Sequence, residues 1–275
     1  VDASVFTPIS KAIEQTKKTE TFSLLMANPA TQSVLDIPGA VADLLTVNDI
    51  KPDVVIDIGD WWDMASLCSY DKGTKGFEGR RYKADIEAGH KADDIVFGGI
   101  VRYNNRLSKN KKKKYDPLII RTLGNHEQRI LKAVNNDAKL EGVLSTDDLK
   151  YEAYGWEVFP FLEVVVIGGV AFSHYFVSGP LGRPVGSAAL TLSKKHMSTV
   201  AGHQQGLQIA MAHRGDGKRL TSIIAGSCYT HDEDYMGPQG NKHWRGIIMM
   251  HNVIDGEFDV MPVSLDYLEK KYGSQ

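Results

Sequence analysis

Along the first half of the chain, short apolar runs alternate with stretches of helical periodicity. Phe22 to Met26, Asp53 to Ile58 and Leu118 to Leu123 read as strands, and the segments near Ile37 to Val47, Arg80 to Arg106 and Glu127 to Val134 read as helices. This β-α-β rhythm predicts a layered sheet with helices against it. The second half changes character. Apolar runs at Gln208 to His213, Ser222 to Ala225, Gly246 to Asn252 and Phe258 to Val263 are strand-like, and Gly215-Asp216-Gly217 and Asp255-Gly256 supply hairpin turns between them. A short helix is expected at Leu265 to Tyr272. The fold class is therefore α/β with a β-rich C-terminal half. No repeat or Pro/Ser-rich linker divides it, so one domain is expected over 21–275, preceded by a polar extension over 1–20.

Composition narrows the function classes. The 275 residues are 42% hydrophobic, enough to fill a substantial core. Lys and Arg number 32 against 34 Asp and Glu, a formal charge of −2, so no global field draws the chain onto nucleic acid or an anionic membrane. Any polyanion must be gripped locally. The longest apolar candidate, Val164 to Phe172, is broken by Gly168 and Gly169 and falls short of the roughly 18 residues of a membrane span. The first residues lack the charged and apolar regions of a signal peptide, and Cys68 and Cys228 form no C-x-x-C, so a reducing cytoplasm is the expected compartment. The basic run Lys109 to Lys114 reads first as a solvated loop and second as a phosphate-backbone contact.

The chemistry sits at strand ends, where open sheets present ligands. Gly59-Asp60-Trp61-Trp62-Asp63 follows one strand and Gly124-Asn125-His126-Glu127 another; each glycine lets the backbone turn sharply so that the next side chain points over the sheet edge. Ser173-His174 and Gly202-His203-Gln204-Gln205 end two more apolar segments. A carboxylate, an amide oxygen and two imidazoles suit a divalent first-row metal such as Mn²⁺, Fe²⁺ or Zn²⁺. Each part alone is a common surface or core feature, and the ordered set carries the weight.

That set, Gly-Asp-x-x-Asp, Gly-Asn-His-Glu, a strand-end His and Gly-His-x-x, resembles the calcineurin-like metallophosphoesterase superfamily from about Thr21 to Tyr272. More narrowly, Ser69 to Gly73, Phe77 to Asp85 and Ser173 to Val177 resemble the phosphoesterases of tailed bacteriophages. The resemblance implies a layered β-sandwich flanked by helices, working in the cytoplasm of a bacterial host. It implies two divalent ions, Mn²⁺ first, with Fe²⁺, Zn²⁺, Ni²⁺ and Mg²⁺ as alternatives. Asp60 would bridge them, and Asn125, His174 and His203 would complete the second site. His126 would act as general acid with Asp63 supporting its imidazole, and a metal-activated hydroxide would attack phosphorus in line.

Three positions depart from the superfamily pattern. Its opening Asp-x-His is replaced by Asn28-Pro29-Ala30-Thr31-Gln32, and its closing Gly-His-x-His ends here in Gln205. The phage relatives carry Pro-Asp-Thr-Gln at the first place and Gln at the last, so Gln32 and Gln205 belong to the subfamily, whereas Ala30 stands where a metal-binding Asp is expected. All three fall on the first ion. Gln32 and Gln205 still offer carbonyl oxygens, but alanine offers nothing, and first-site affinity should fall. Ala30 reads as an introduced Asp-to-Ala change in an enzyme, with natural loss in a one-metal protein as the alternative.

The motifs define a phosphate ester and leave the substrate to the loops. Trp61, Arg80, Arg81, Arg183 and His231 are the candidate walls, suited to holding a phosphate and stacking a base. The leading expectation is a phosphodiesterase or nuclease acting on a nucleotide or single-stranded nucleic acid. A phosphomonoesterase acting on a phosphoprotein or metabolite, and a non-catalytic phosphate-binding module with one metal, are the alternatives. Oligomeric state is left open.

Overall fold

The computed structural model describes residues 51–233 and 236–272 in full and the backbone of 21–26. The expected extension over 1–20, the helix expected near Ile37 to Val47, Ala30 and Gln32 lie outside the described residues. In chain order the strands are β1 (Thr21–Met26), β2 (Val54–Asp57), β3 (Leu118–Thr122), β4 (Glu157–Phe159), β5 (Val165–Ile167), β6 (Val170–Ser173), β7 (Thr199–Ala201), β8 (Leu207–His213), β9 (Arg219–Ala225), β10 (Gly246–Ile254) and β11 (Glu257–Ser264). The helices are α1 (Tyr82–Lys109), α2 (Gln128–Asn136), α3 (Ala188–Lys195), the single turn α4 (Gly237–Gly240) and α5 (Leu265–Tyr272).

Two sheets result, a six-stranded one in the order β11-β10-β1-β2-β3-β4 and a five-stranded one in the order β5-β6-β7-β9-β8. The centre of each is parallel: β1, β2, β3 and β4 run together in the first, and β6, β7 and β9 in the second. Hairpins close the edges, β8 to β9 through Gly215-Asp216-Gly217 and β10 to β11 through Asp255-Gly256. The chain is thus a mixed α/β protein with its strands concentrated in the second half.

Strand alternation explains the layering. Val54 and Ile56 of β2, Leu118 and Ile120 of β3, and Ile248 and Met250 of β10 pack with Phe172, Val200 and Ile223 of the other sheet. The intervening Val55, Ile119, Ile247 and Met249 face the helices, meeting Ile86, Val96, Phe97 and Ile100 of α1 and Leu268 of α5. β2 and β3 are buried on both faces and apolar except for the buried Asp57, Arg121 and Thr122. A smaller cluster of Phe176, Val185 and Ala201 covers the outer face of the second sheet.

Two elements differ from expectation. The strand expected at Val170 to Phe172 is β6, but the broken run before it adds β5, antiparallel to β6 in a hairpin around Gly168-Gly169. Strand β4 adds to β3 in parallel although it is only three residues long, too short for a periodic signal. The Lys109 to Lys114 run is exposed at the end of α1, which both of its readings require.

Trp61 requires a correction. Expected on a substrate wall, it is fully buried together with Trp62. Their indole N–H groups donate to the carbonyls of Gly89 (3.1 Å) and Ile86 (3.3 Å) on α1, so the pair anchors the loop after β2 to that helix. The rings also enclose a fully buried cation. Arg121 of β3 lies 4.0 Å from the ring centroid of Trp156, 4.4 Å from Trp61 and 4.9 Å from Trp62. Its guanidinium donates to Asp57 (2.6 Å) and Asp93 (3.1 Å).

Candidate metal centre

The C-terminal ends of β2, β3, β6 and β7 meet at one end of the sandwich and deliver Asp60, Asn125, His174 and His203 to one point. Close backbone approach makes this possible. Gly59 has φ +94°, and a Cβ there would lie 2.6 Å from the Gly124 nitrogen and 2.7 Å from His174 Nδ1. A Cβ on Gly124 would run into the Asp60 carboxylate and backbone. Asp60 and His203 themselves take positive φ, +59° and +64°, which is uncommon for side-chain-bearing residues and strained at functional loops.

A buried carboxylate ties the two loops together. Glu127 accepts the N–H of Gly124 (2.8 Å) and Asp60 (3.1 Å) on Oε2, and that of Trp62 (3.0 Å) on Oε1. The N–H of His126 in turn donates to Asp60 Oδ1 at 2.9 Å. Sequence reading included Glu127 in a motif without giving it this work.

The tautomer of His174 follows from its neighbours. Nδ1 lies 2.8 Å from the Ile58 carbonyl, which only accepts, so Nδ1 carries a proton and Nε2 is the atom turned to the site. His174 Nε2 lies 2.9 Å from Asn125 Oδ1 and 3.5 Å from Asp60 Oδ2. His203 Nδ1 approaches the same Asn125 oxygen at 2.8 Å. Ligand atoms of Asp60, His174 and His203 all lie within 4.8 Å of one another, and no other such group occurs among the described residues. Acceptors converging on one point are what a cation requires. Were the Asn125 amide turned over, its NH₂ would donate to the imidazoles and the cluster would close on itself without an ion.

Electrostatics favours the ligand forms. Burial, followed by neighbouring His174, pushes the His203 imidazole down to about 4, so it is neutral at pH 7. Burial opposes the ionised form of Asp60, but His126 and His174 outweigh it and hold the carboxyl below its ordinary value. The reverse holds at His126: burial disfavours the imidazolium, yet Asp60 and Asp63 prevail and raise the imidazole above its usual value. His126 Nε2 stands 3.8 Å from Asp60 Oδ2, and Nδ1 lies 3.2 Å from Asp63 Oδ1, off the line of a good hydrogen bond.

The remaining expected residues scatter. Gln205 Oε1 accepts the Tyr229 hydroxyl at 2.8 Å. Arg80 lines a cavity of about 650 Å³ that also borders His126 and Asp63. Arg81 is exposed and donates to the Arg80 carbonyl, and Arg183 is exposed on the loop before α3. His231 stacks on Tyr229 (4.3 Å, 18° between planes) and faces Glu233 at 3.2 Å. Reasoning from sequence missed Arg129, which donates to the Asp63 carbonyl at 2.6 Å and braces the loop that holds that residue.

No family model matches the chain, and no curated protein matches it. Among solved structures it is similar to Vps29 of Chaetomium thermophilum, at 13% identity over 88% of this chain and 97% of that one, with a TM-score of 0.35. A likeness that distant adds nothing to the reading of the site, which rests on its own geometry.

Proposed function

We propose that this protein is a divalent-metal-dependent phosphoesterase of the calcineurin-like type, hydrolysing a nucleotide or nucleic-acid phosphate ester. One observation carries the reading: the acceptors of Asp60, Asn125, His174 and His203 converge on a point directly beside the His126–Asp63 pair. The donor set is oxygen and nitrogen without thiolate, which fits Mn²⁺ first and Fe²⁺, Zn²⁺, Ni²⁺ or Mg²⁺ after it. When bound, divalent ions supply positive charge at the phosphoryl oxygens and lower the pKa of a coordinated water.

The chain's own residues do the rest. His203, neutral at pH 7, stands ready as a ligand, and the His174 ring is aimed by its Nδ1–H on the Ile58 carbonyl, which turns Nε2 toward the site. Asp60 offers Oδ2 while its Oδ1 is held by the His126 N–H, and Glu127 keeps the two loops in register. His126, with its raised pKa, carries a proton that it can release to the leaving oxygen, and Asp63 stabilises the imidazolium.

A second reading, a one-metal module that binds phosphate without cleaving it, is favoured by Ala30, which stands where the resemblance places a metal-binding acid. Hydrolysis of bis-p-nitrophenyl phosphate with Mn²⁺ separates the two. The enzyme reading expects strong turnover on Ala30→Asp and its loss when His126→Ala is added. Equal silence of all three proteins, each still binding Mn²⁺, would weaken the enzyme reading and favour the binding module.

A further inference from the structure

The cavity beside His126, about 650 Å³, falls in the range of organic ligand pockets. Its charges are already committed. Arg80 Nη1 pairs with Asp71 at 2.6 Å, and Arg129 donates to the carbonyls of Asp63 and Met64 while lying 3.8 Å from the Asp63 carboxylate. Arg245, behind the wall, pairs with the lining Asp232 at 2.7 Å. Among the described residues the lining carboxylates Asp63, Asp71, Asp232 and Glu233 outnumber the lining arginines Arg80 and Arg129. Among the described lining residues, a second anion entering here would meet two arginines already paired, His126 already held by Asp60 and Asp63, and several carboxylates.

We propose that this cavity receives the leaving group of the ester and selects an uncharged or cationic group over an anionic one; this rests on the phosphoesterase reading. In the reaction the bond from phosphorus to the leaving oxygen breaks, a bond from water oxygen to phosphorus forms, and the leaving oxygen takes its proton from His126, which lines the cavity. The preferred substrate class is an ester with a neutral organic leaving group of nucleoside or sugar size. This narrows the proposed function to its nucleotide arm: internal linkages of a nucleic acid, whose leaving group carries the next phosphate, are disfavoured.

Non-hydrolysable phosphonates test this without turnover. Isothermal titration of the Mn²⁺-loaded chain with phenylphosphonate, 4-(aminomethyl)phenylphosphonate and 4-carboxyphenylphosphonate should give at least tenfold weaker binding for the carboxylate. Asp71→Asn and Asp232→Asn, which release Arg80 and Arg245, should each narrow that gap severalfold. Equal or tighter binding of the carboxylate overturns the proposal, as does binding of inorganic phosphate with no binding of any aryl phosphonate. If neither phosphate nor any phosphonate binds, the phosphoesterase reading itself falls and takes the proposal with it.

Discussion

The Glu127 carboxylate accepts the N–H of Asp60 across 67 positions of sequence and thereby fixes the backbone of the candidate bridging ligand. Replacing Glu127 by Gln would turn one acceptor into an NH₂ facing backbone donors. Stability should drop by about 2 to 3 kcal/mol, the cost of a buried unsatisfied group. Mn²⁺ affinity should fall at least tenfold with it. Urea denaturation and Mn²⁺ titration read both, and an unchanged pair of values would show that the clamp is dispensable.

Arg121 is a cation that the core cannot lose. Arg121→Met would leave Asp57 and Asp93 buried without their partner, and removing one member of such a network costs about 3 to 5 kcal/mol. Adding Asp57→Asn and Asp93→Asn should recover part of the loss. Thermal unfolding of the single and triple variants measures the coupling.

One guanidinium does not neutralise every carboxylate around it. Burial pushes the Asp57 carboxyl up to about 7, against the pull of Arg121 and with Glu127 adding repulsion. In the unfolded chain it titrates near 4. The folded state therefore holds a proton that the unfolded state has released, and the resulting stability is fully present below about pH 4 and lost as the pH rises through about 7. Metal-free protein should unfold at lower temperature at pH 7.5 than at pH 5.5, and Asp57→Asn should flatten that slope.

Metal should stabilise the fold by mass action. Mn²⁺ at a hundred times its dissociation constant should add about 2.7 kcal/mol, and EDTA should remove it. In His203→Ala the increment should shrink or vanish while the metal-free melting temperature stays near that of the parent. A full increment in that variant would place the ion elsewhere.

Contact between the two glycine turns gives the sharpest substitution test. Gly124→Ala should abolish Mn²⁺ binding, because its Cβ collides with Asp60, whereas Gly215→Ala, with open space around it, should be silent. Calorimetric titration of both proteins compares them directly.

The ends of the strands were the legible part of this chain. Asp60, Asn125, His174 and His203 each stand just past an apolar run, and three of them follow a glycine, where a side chain leaving a buried strand has few directions open to it. The β8–β9 and β10–β11 hairpins followed from their turn residues. The buried polar interior was harder to read, because Arg121 in Leu118–Thr122 and Asp57 in Val54–Asp57 interrupt apolar strands with no local pattern to name their partners. Their mutual contact depends on two strands pairing in register, Asp57 opposite Arg121, which a linear pattern does not encode. Trp61 misled for a related reason: an aromatic beside a ligand loop looks like a stacking surface until the helix that covers it is placed.

The two turns at Gly59 and Gly124 interlock only when β2 and β3 are already paired, and the imidazoles arrive from the opposite sheet. The cluster therefore has no local precursor: no excised hairpin or half of the chain contains it. Ion capture would then report completion of the entire tertiary assembly, and a nick or truncation anywhere between positions 60 and 203 should erase it in a single step.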